Sequence, residues 1–518
     1  MKKKSIIILL GGLLLSSCTI KINLGTSQSE TSSTDSSEFN SISSSSNVVN
    51  SSSSVSSKDE ALNYEKINRD DVKYTMTDTN SQLGWYTTKS VGNQKFLVIP
   101  VELKDGPKWT STMLDELNTA FFGKSEDTAY ESVSSFYYKS SYGKLNITGE
   151  VSSVYSLNMT INALDSYGND APNYVISKYY NATEASLLKK YDLNSDGYVD
   201  NAIFIYSNDY KMTSDTAYWA WCHVASQGNY LYSPNANKPA FNSYMWASYA
   251  FMNDKYQDGY NYNKVDAHTY IHESGHMLGL DDYYCYDDTN AWNPAGELEM
   301  QSYNVGDQNA YSKFALGWIN PYYVKGDATI KLKTSALYDE AILINDDWNK
   351  SIFDEYLFIE YYTNQGLNEI DAKHQYNGRD KMYNYNGLRI YHVDARLVKL
   401  NSMGNFVSYA DDIDITDSNY IYYVGASNSY SNSYLSNAYK KIYRYLHLLD
   451  QGGNNKINNG YGGYIDPSTT LWTGSKKFQA SSTFFNNGTR FNAGNEVGYT
   501  ISVSNLTSEE CTVTIIKN

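Results

Sequence analysis

Cysteine is scarce in this chain. The 518 residues hold only Cys18, Cys222, Cys285 and Cys511, and no two of them form a C-x-x-C pair. A zinc site built from paired cysteines is therefore not expected. Basic charge is in deficit too. Only 41 Lys and Arg stand against 57 Asp and Glu, a formal net charge of -16, with a sequence pI near 4.9. Phosphate backbones would be repelled, which argues against a nucleic-acid partner. Residues 6–15 are apolar, but a membrane-spanning helix needs roughly 20 such residues. Histidine is rare as well, with seven copies, so any close spacing of histidines carries weight.

What is present begins at the N-terminus. Lys2, Lys3 and Lys4 precede the short apolar stretch, the pattern of a secretory signal peptide. Leu15-Ser16-Ser17-Cys18 resembles the lipobox of bacterial lipoproteins. That resemblance implies a signal peptide over 1–18, a lipidated Cys18, and a chain anchored on the extracellular face of a bacterial membrane. Three cysteines then remain. An extracellular setting permits disulfides, and Cys222 could pair with Cys285; spacing alone leaves this open. Within residues 27–57, 17 of 31 are serine, too polar a composition to bury a core. A Ser-rich tether over 19–60 follows, with a reach of about 30 Å as a flexible coil. Residues 61–92 read as a pro-segment or linker.

Order is expected from residue 93. The run Lys95-Phe96-Leu97-Val98-Ile99-Pro100-Val101-Glu102-Leu103 reads as a buried strand. Residues 112–122 have helical spacing. Residues 133–138 lead through a turn into a strand beginning at Leu145, and 202–206 form another strand. The spacing predicts a helix over 265–280, with Asp266 as N-cap and Gly279 near its end. After Pro321 the texture becomes mostly β, with strands over 328–333, 355–362, 387–394 and within 499–516. Residues 434–449 read as a helix. The fold class expected is α+β: a first domain over 93–322 and a mostly-β, sandwich-like domain over 323–518. The 52 tyrosines suit exposed sheets and peptide-binding surfaces, or reflect biased usage on a secreted surface.

His272-Glu273-Ser274-Gly275-His276 is an H-E-x-x-H motif. On a helix, positions i and i+4 share a face about 6 Å apart along the axis, so both imidazoles can reach one zinc ion. Glu273 stands beside the first ligand and can take a proton from water. A catalytic zinc takes three protein ligands and one open position. Gly279 can turn the chain back and bring Asp282, ten residues after His272, to the third position. Asp281 is the neighbouring competitor. His268 extends the histidine stripe to i+8. That is about 12 Å along the axis, too far to share one ion with His272 and His276 at bonds of about 2 Å.

H-E-x-x-H-x-x-G-x-x-D resembles the extended zinc motif of metzincin-type peptidases. The closer likeness is to the immune inhibitor A metalloproteases, peptidase family M6. It is carried by Phe96-Leu97-Val98-Ile99-Pro100-Val101, the Ser-Ser-Tyr-Gly-Lys-Leu at 140–145, residues 269–284, Tyr303-Asn304-Val305-Gly306-Asp307, residues 310–319 and Gly387-Leu388-Arg389-Ile390-Tyr391-His392-Val393-Asp394. It covers roughly residues 93–400. The resemblance implies a zincin-like catalytic domain and a structural methionine beneath the zinc, matched here by Met300. In several relatives a tyrosine lies two residues past that methionine. Tyr303 lies three past it, so no role is carried over to it.

A second metal signal is Asp192-Leu193-Asn194-Ser195-Asp196-Gly197-Tyr198-Val199-Asp200. Side-chain oxygens at positions 1, 3, 5 and 9, Gly at 6 and the Tyr198 carbonyl match the start of an EF-hand calcium loop. Position 12 is Ile203 instead of Glu, and an ion-free Asx-rich turn is the alternative. Trp219, Trp221 and His223 could line a cleft or belong to the core. His392 and His447 are expected in local hydrogen bonds. The expectation is thus a monomeric, zinc-dependent endopeptidase acting on proteins or peptides, with Glu273 as proton acceptor, zinc on His272, His276 and Asp282, and calcium at the 192–200 loop. The rival is a catalytically degenerate surface binding protein.

Overall fold

The computed structural model describes residues 63–76, 88–210, 222–226, 233–241, 243–286, 293–302, 304–409, 415, 417, 419–429, 443–457 and 465–518. The signal peptide, Cys18, the Ser-rich stretch, Trp219, Trp221 and Tyr303 lie outside the described residues. No described helix is long and apolar enough to cross a membrane.

The strand expected at Lys95 extends over Gly92–Leu103 (β2). It lies between Leu145–Val151 (β3) and Ala202–Tyr206 (β6), parallel to both. The sheet continues through Ser243–Ser248 (β9), parallel to β6, and ends in His223–Ser226 (β7), antiparallel to β9. Tyr155–Leu157 (β4) also pairs with β2. A strand inside a parallel sheet is covered on both faces, so its sequence is a continuous apolar run. Alternate residues of β2 feed two cores. Phe96 and Val98 join the larger one. Leu97, Ile99, Val101 and Leu103 join a second, with Val175, Ile176 and Tyr179 of Ala171–Ala182 (α3).

Two capped helices cover the larger-core face. Ser111–Phe122 (α1) starts at Thr110, whose side chain accepts from the Met113 N–H. Val133–Ser140 (α2) starts with a reciprocal capping box between Ser132 and Ser135. Further on come His268–Met277 (α4) and Ala310–Ala315 (α5).

The regular elements of the rest are mostly strands, and the described residues together mix helix and strand over several sheets, compatible with α+β. Tyr64–Lys66 (β1), Tyr322–Val324 (β10), Ile342–Ile344 (β12), Glu355–Tyr362 (β13), Gly387–Asp394 (β14) and Leu446–Leu448 (β18) make one six-stranded sheet in that order. Ala328–Lys333 (β11), Glu510–Lys517 (β21), Tyr499–Ser504 (β20) and Phe478–Gln479 (β19) make a second. The two share a core through Ile342, Leu357, Ile359 and Ile390 on one side and Ile330, Val503, Val513 and Ile515 on the other. The opposite face of the six-stranded sheet, with Leu343, Tyr356, Phe358 and Tyr391, belongs to the same core as Phe136, Ile271 and Met300. That core is continuous across residue 322, and Ile67, Val72 and Met76 also enter it.

Three expectations need correction. The helix foreseen over 265–280 is shorter, His268–Met277, and its N-cap is Ala267. Asp266 stands one residue too early to cap: its carboxylate accepts from the His268 N–H at 3.1 Å and from the Tyr376 hydroxyl. The described part of the expected 434–449 helix, residues 443–449, holds no helix and one short strand. Leu446–Leu448 pairs with β14, and residues 443–450 are all buried, so no polar helix face exists there. The Cys222–Cys285 pairing that spacing leaves open is absent: Cys222, Cys285 and Cys511 are free thiols.

A buried ion pair ties α2, α5 and the β-rich half together. Lys313 Nζ lies 2.5 Å from Asp307 Oδ2, with side-chain exposures of 1% and 5%. Lys313 also donates to the Ser335 carbonyl at 3.0 Å, and Ser140 Oγ donates to Asp307 Oδ1 at 2.6 Å. Removing one member of such a pair strands the other's charge in a dry site. Lys313→Met should destabilise the fold by about 3–5 kcal/mol in urea unfolding; a loss below about 1 kcal/mol would show that the pair is not isolated from water.

Candidate metal centre

Helix α4 carries the site, and its packing explains its sequence. Tyr270, Ile271, Glu273, Ser274, Gly275 and Met277 are buried. Tyr137 of α2 donates to the Ile271 carbonyl at 2.7 Å. Gly275 is where Gln301 crosses: a Cβ there would stand 2.3 Å from Gln301 Oε1. Gln301 is fully buried. It donates to the His272 carbonyl at 3.3 Å and accepts from Gln308 at 3.0 Å. After the helix, Gly279 takes φ 94°, a left-handed turn open to glycine. The chain reverses there and returns toward the histidines.

That reversal brings His272, His276 and Asp282 together. One ligand atom from each lies within 4.8 Å of the others, the only such His, Cys, Asp or Glu group among the described residues. Asp282 Oδ1 is 3.0 Å from His272 Nε2 and 3.3 Å from His276 Nε2. The side chains are nearly dry, with exposures of 13%, 18% and 10% for His272, His276 and Asp282. Asp281 is exposed.

The backs of both rings fix which nitrogen carries the proton. His272 Nδ1 is 2.8 Å from the Met300 carbonyl, and His276 Nδ1 is 2.7 Å from the Leu280 carbonyl. A carbonyl only accepts, so each Nδ1 must donate. In the neutral rings each Nε2 is then a bare lone pair aimed at the Asp282 carboxylate. Three electron-rich atoms in a dry pocket repel unless a cation joins them. In its absence the imidazoles take up protons. Burial alone would lower the pKa of His276, but Asp282 outweighs it and raises it to about 10. Against the same burial, hydrogen bonding to Asp282 raises His272. Burial alone would raise Asp282, yet His276 and His272 hold its carboxyl far below the usual carboxylate range. Two imidazole nitrogens and one carboxylate oxygen form a donor set that a divalent ion could take.

Glu273 is buried, 5% exposed. Burial, followed by the charge of Glu273, pushes the thiol of Cys222, the residue before β7, well up. Met300 is fully buried, and its carbonyl is the back support of His272. His268 stands apart: its Nε2 donates to the Asn304 carbonyl at 3.1 Å, and burial lowers its pKa to about 3.

No family model matches this chain, and no curated protein matches it in sequence. The site must be read from its own geometry.

His392 Nε2 lies 2.7 Å from Glu355 Oε1 and His447 Nε2 lies 2.8 Å from the Asn455 carbonyl. The ring of His223 stands 6.2 Å from that of Tyr244. The 192–200 loop is held by backbone N–H groups. Gly197 donates to Asp192 Oδ2 at 3.1 Å, Tyr198 to Asp196 Oδ1 at 2.8 Å, and Leu193 to Asp200 Oδ2 at 2.7 Å. Its carboxylates do not converge as the His272 group does. Asp192 Oδ1 is buried without a hydrogen-bond partner. Burial, then Asp196 and Asp192, raises the Asp200 carboxyl to about 6.

Sequence reasoning missed the supports of Asp282, the expected third ligand. Tyr286 donates to Asp282 Oδ2. Ser429 Oγ donates to the Asp282 carbonyl at 2.9 Å, and Asn428 Nδ2 to the Tyr283 carbonyl at 3.0 Å. Tyr286 was in view beside the motif. Ser429 carries no local signal, because it lies 147 residues from Asp282.

Gly275→Ala should force Gln301 out of its hydrogen bonds and cost about 1–3 kcal/mol, the usual range for overpacking. Thermal unfolding of the metal-free variant checks this; an unchanged midpoint would mean that Gln301 yields freely.

Proposed function

We propose that this chain is an extracellular, lipid-anchored zinc endopeptidase with a zincin-like catalytic region. The convergence of His272, His276 and Asp282, with both Nδ1 atoms committed to carbonyls, carries the reading. Its donor set fits zinc, and three protein atoms would leave a tetrahedral ion one position for water. The motif resemblance to immune inhibitor A metalloproteases supports it. So does β7, the outer strand of its sheet, since an extended peptide can align with a sheet edge.

His272 and His276 would hold zinc through Nε2, and Asp282 through Oδ1. When bound there, zinc acidifies water toward a pKa of about 7 and polarises a peptide carbonyl. The chain's own contribution is Glu273. Its carboxylate accepts a proton from water as the water attacks the scissile carbonyl. It then returns that proton to the departing amine nitrogen. No side chain bonds covalently to the substrate, so no acyl-enzyme should accumulate.

Calcium at the 192–200 loop belongs to the same proposal, supported by the partnerless Asp192 Oδ1. Calcium should raise the thermal midpoint of the full chain, and Asp192→Asn should remove that rise. A midpoint indifferent to calcium would assign the loop to an ion-free turn.

Glu273→Gln should keep its zinc while casein hydrolysis falls by at least about a hundredfold, the scale of a lost general base. Undiminished hydrolysis would overturn Glu273's role. A wild-type chain that binds zinc but cleaves no protein would favour the degenerate binding protein.

A further inference from the structure

The third ligand sits on a loop, not on the helix that holds the first two. A carboxylate on a loop has two equivalent oxygens and a rotatable bond, so something must select which oxygen faces the imidazoles. Among the described contacts, that selection falls to a residue outside the motif.

Asp282 Oδ1 faces His272 Nε2 and His276 Nε2 at 3.0 and 3.3 Å. Oδ2 takes the hydroxyl proton of Tyr286. The two oxygens are thus differentiated: one is left for a metal and the other is engaged behind it. The Tyr286 ring is itself placed from the β-rich half. The Tyr286 N–H donates to the Ser429 carbonyl at 2.9 Å, and Ser429 Oγ donates back to the Asp282 carbonyl at 2.9 Å. One residue earlier, Asn428 Nδ2 reaches the Tyr283 carbonyl at 3.0 Å and the Leu446 carbonyl at 2.8 Å. The Leu446 N–H returns a bond to Asn428 Oδ1 at 3.1 Å. Leu446 opens β18, which is paired to β14. The loop carrying Asp282 is therefore pinned to a strand of the six-stranded sheet.

We propose that Tyr286 is a positioning residue for the metal ligand Asp282, and that Ser429 and Asn428 lock its loop to the β-rich half. This rests on the zinc reading of the site. Its consequence is that the β-rich half is part of the metal centre. With Oδ2 engaged, Asp282 offers one oxygen, which keeps the coordination at three protein atoms and preserves the open position.

The test measures zinc affinity of the purified full chain by competition with a chromophoric zinc chelator. Four proteins are compared: wild type, Tyr286→Phe, Ser429→Ala and Tyr283→Phe. Tyr283 serves as a control on the same loop, because its hydroxyl pairs with Ser312 Oγ at 2.9 Å and not with Asp282. Tyr286→Phe should weaken zinc binding about ten- to a hundredfold, the usual effect of losing a ligand's support. Ser429→Ala should weaken it in the same direction. Both should leave the metal-free thermal midpoint close to wild type. Tyr283→Phe should show the reverse, a lowered midpoint with unchanged affinity. Zinc binding by Tyr286→Phe within about twofold of wild type overturns the positioning role. So does an affinity loss matched by a fall in the metal-free midpoint, which assigns Tyr286 to folding. If the wild-type chain itself binds no zinc, the zinc reading fails, and this inference fails with it.

Discussion

Three lone pairs meeting in a nearly dry pocket are the constraint on which the rest of this structure turns. His272 Nε2, His276 Nε2 and Asp282 Oδ1 lie close enough to share one ion. The Met300 and Leu280 carbonyls hold the protons on the far side of both rings. Such a convergence is costly without a positive charge among the three atoms. Either protons or a metal must supply it. The shifts of His276 and Asp282 in opposite directions express the proton solution, and a divalent ion would replace it.

Much of the fold serves to hold that convergence. Helix α4 is fixed from one side by Tyr137 and from the other by Gln301, which leaves room only for glycine at 275. Gly279 reverses the chain in a conformation that a side chain would strain. The six-stranded sheet supplies its inner face to the core under the helix and, through Asn428 and Ser429, pins the returning loop. The parallel sheet supplies β7 and Cys222 beside Glu273. Residues from both sheets thus reach the surroundings of the site.

The parts of this arrangement that are local in sequence were legible. His272 and His276 share a helical face by spacing with Glu273 beside the first of them, and Gly279 marks the reversal to Asp282. The apolar run of β2 was equally local. What failed was what depends on distant partners. Asp266 looks like an N-cap, but the cap is Ala267, and one oxygen of the Asp266 carboxylate instead takes the hydroxyl of Tyr376, 110 residues away. Residues 446–448 look helical in a tyrosine-rich stretch, yet pairing with β14 makes them strand. The roles of Ser429 and Asn428 could not be read from spacing, because their partners lie about 145 residues back.

Zinc-edge X-ray absorption on the purified full chain tests the central claim most directly. A bound zinc with two imidazole nitrogens and carboxylate oxygen, at about 2.0–2.2 Å and with no sulfur neighbour, is the expected spectrum. A sulfur shell at about 2.3 Å would place Cys222 or Cys285 on the metal instead of Asp282. A chain without zinc after equilibration with the ion would contradict the site itself.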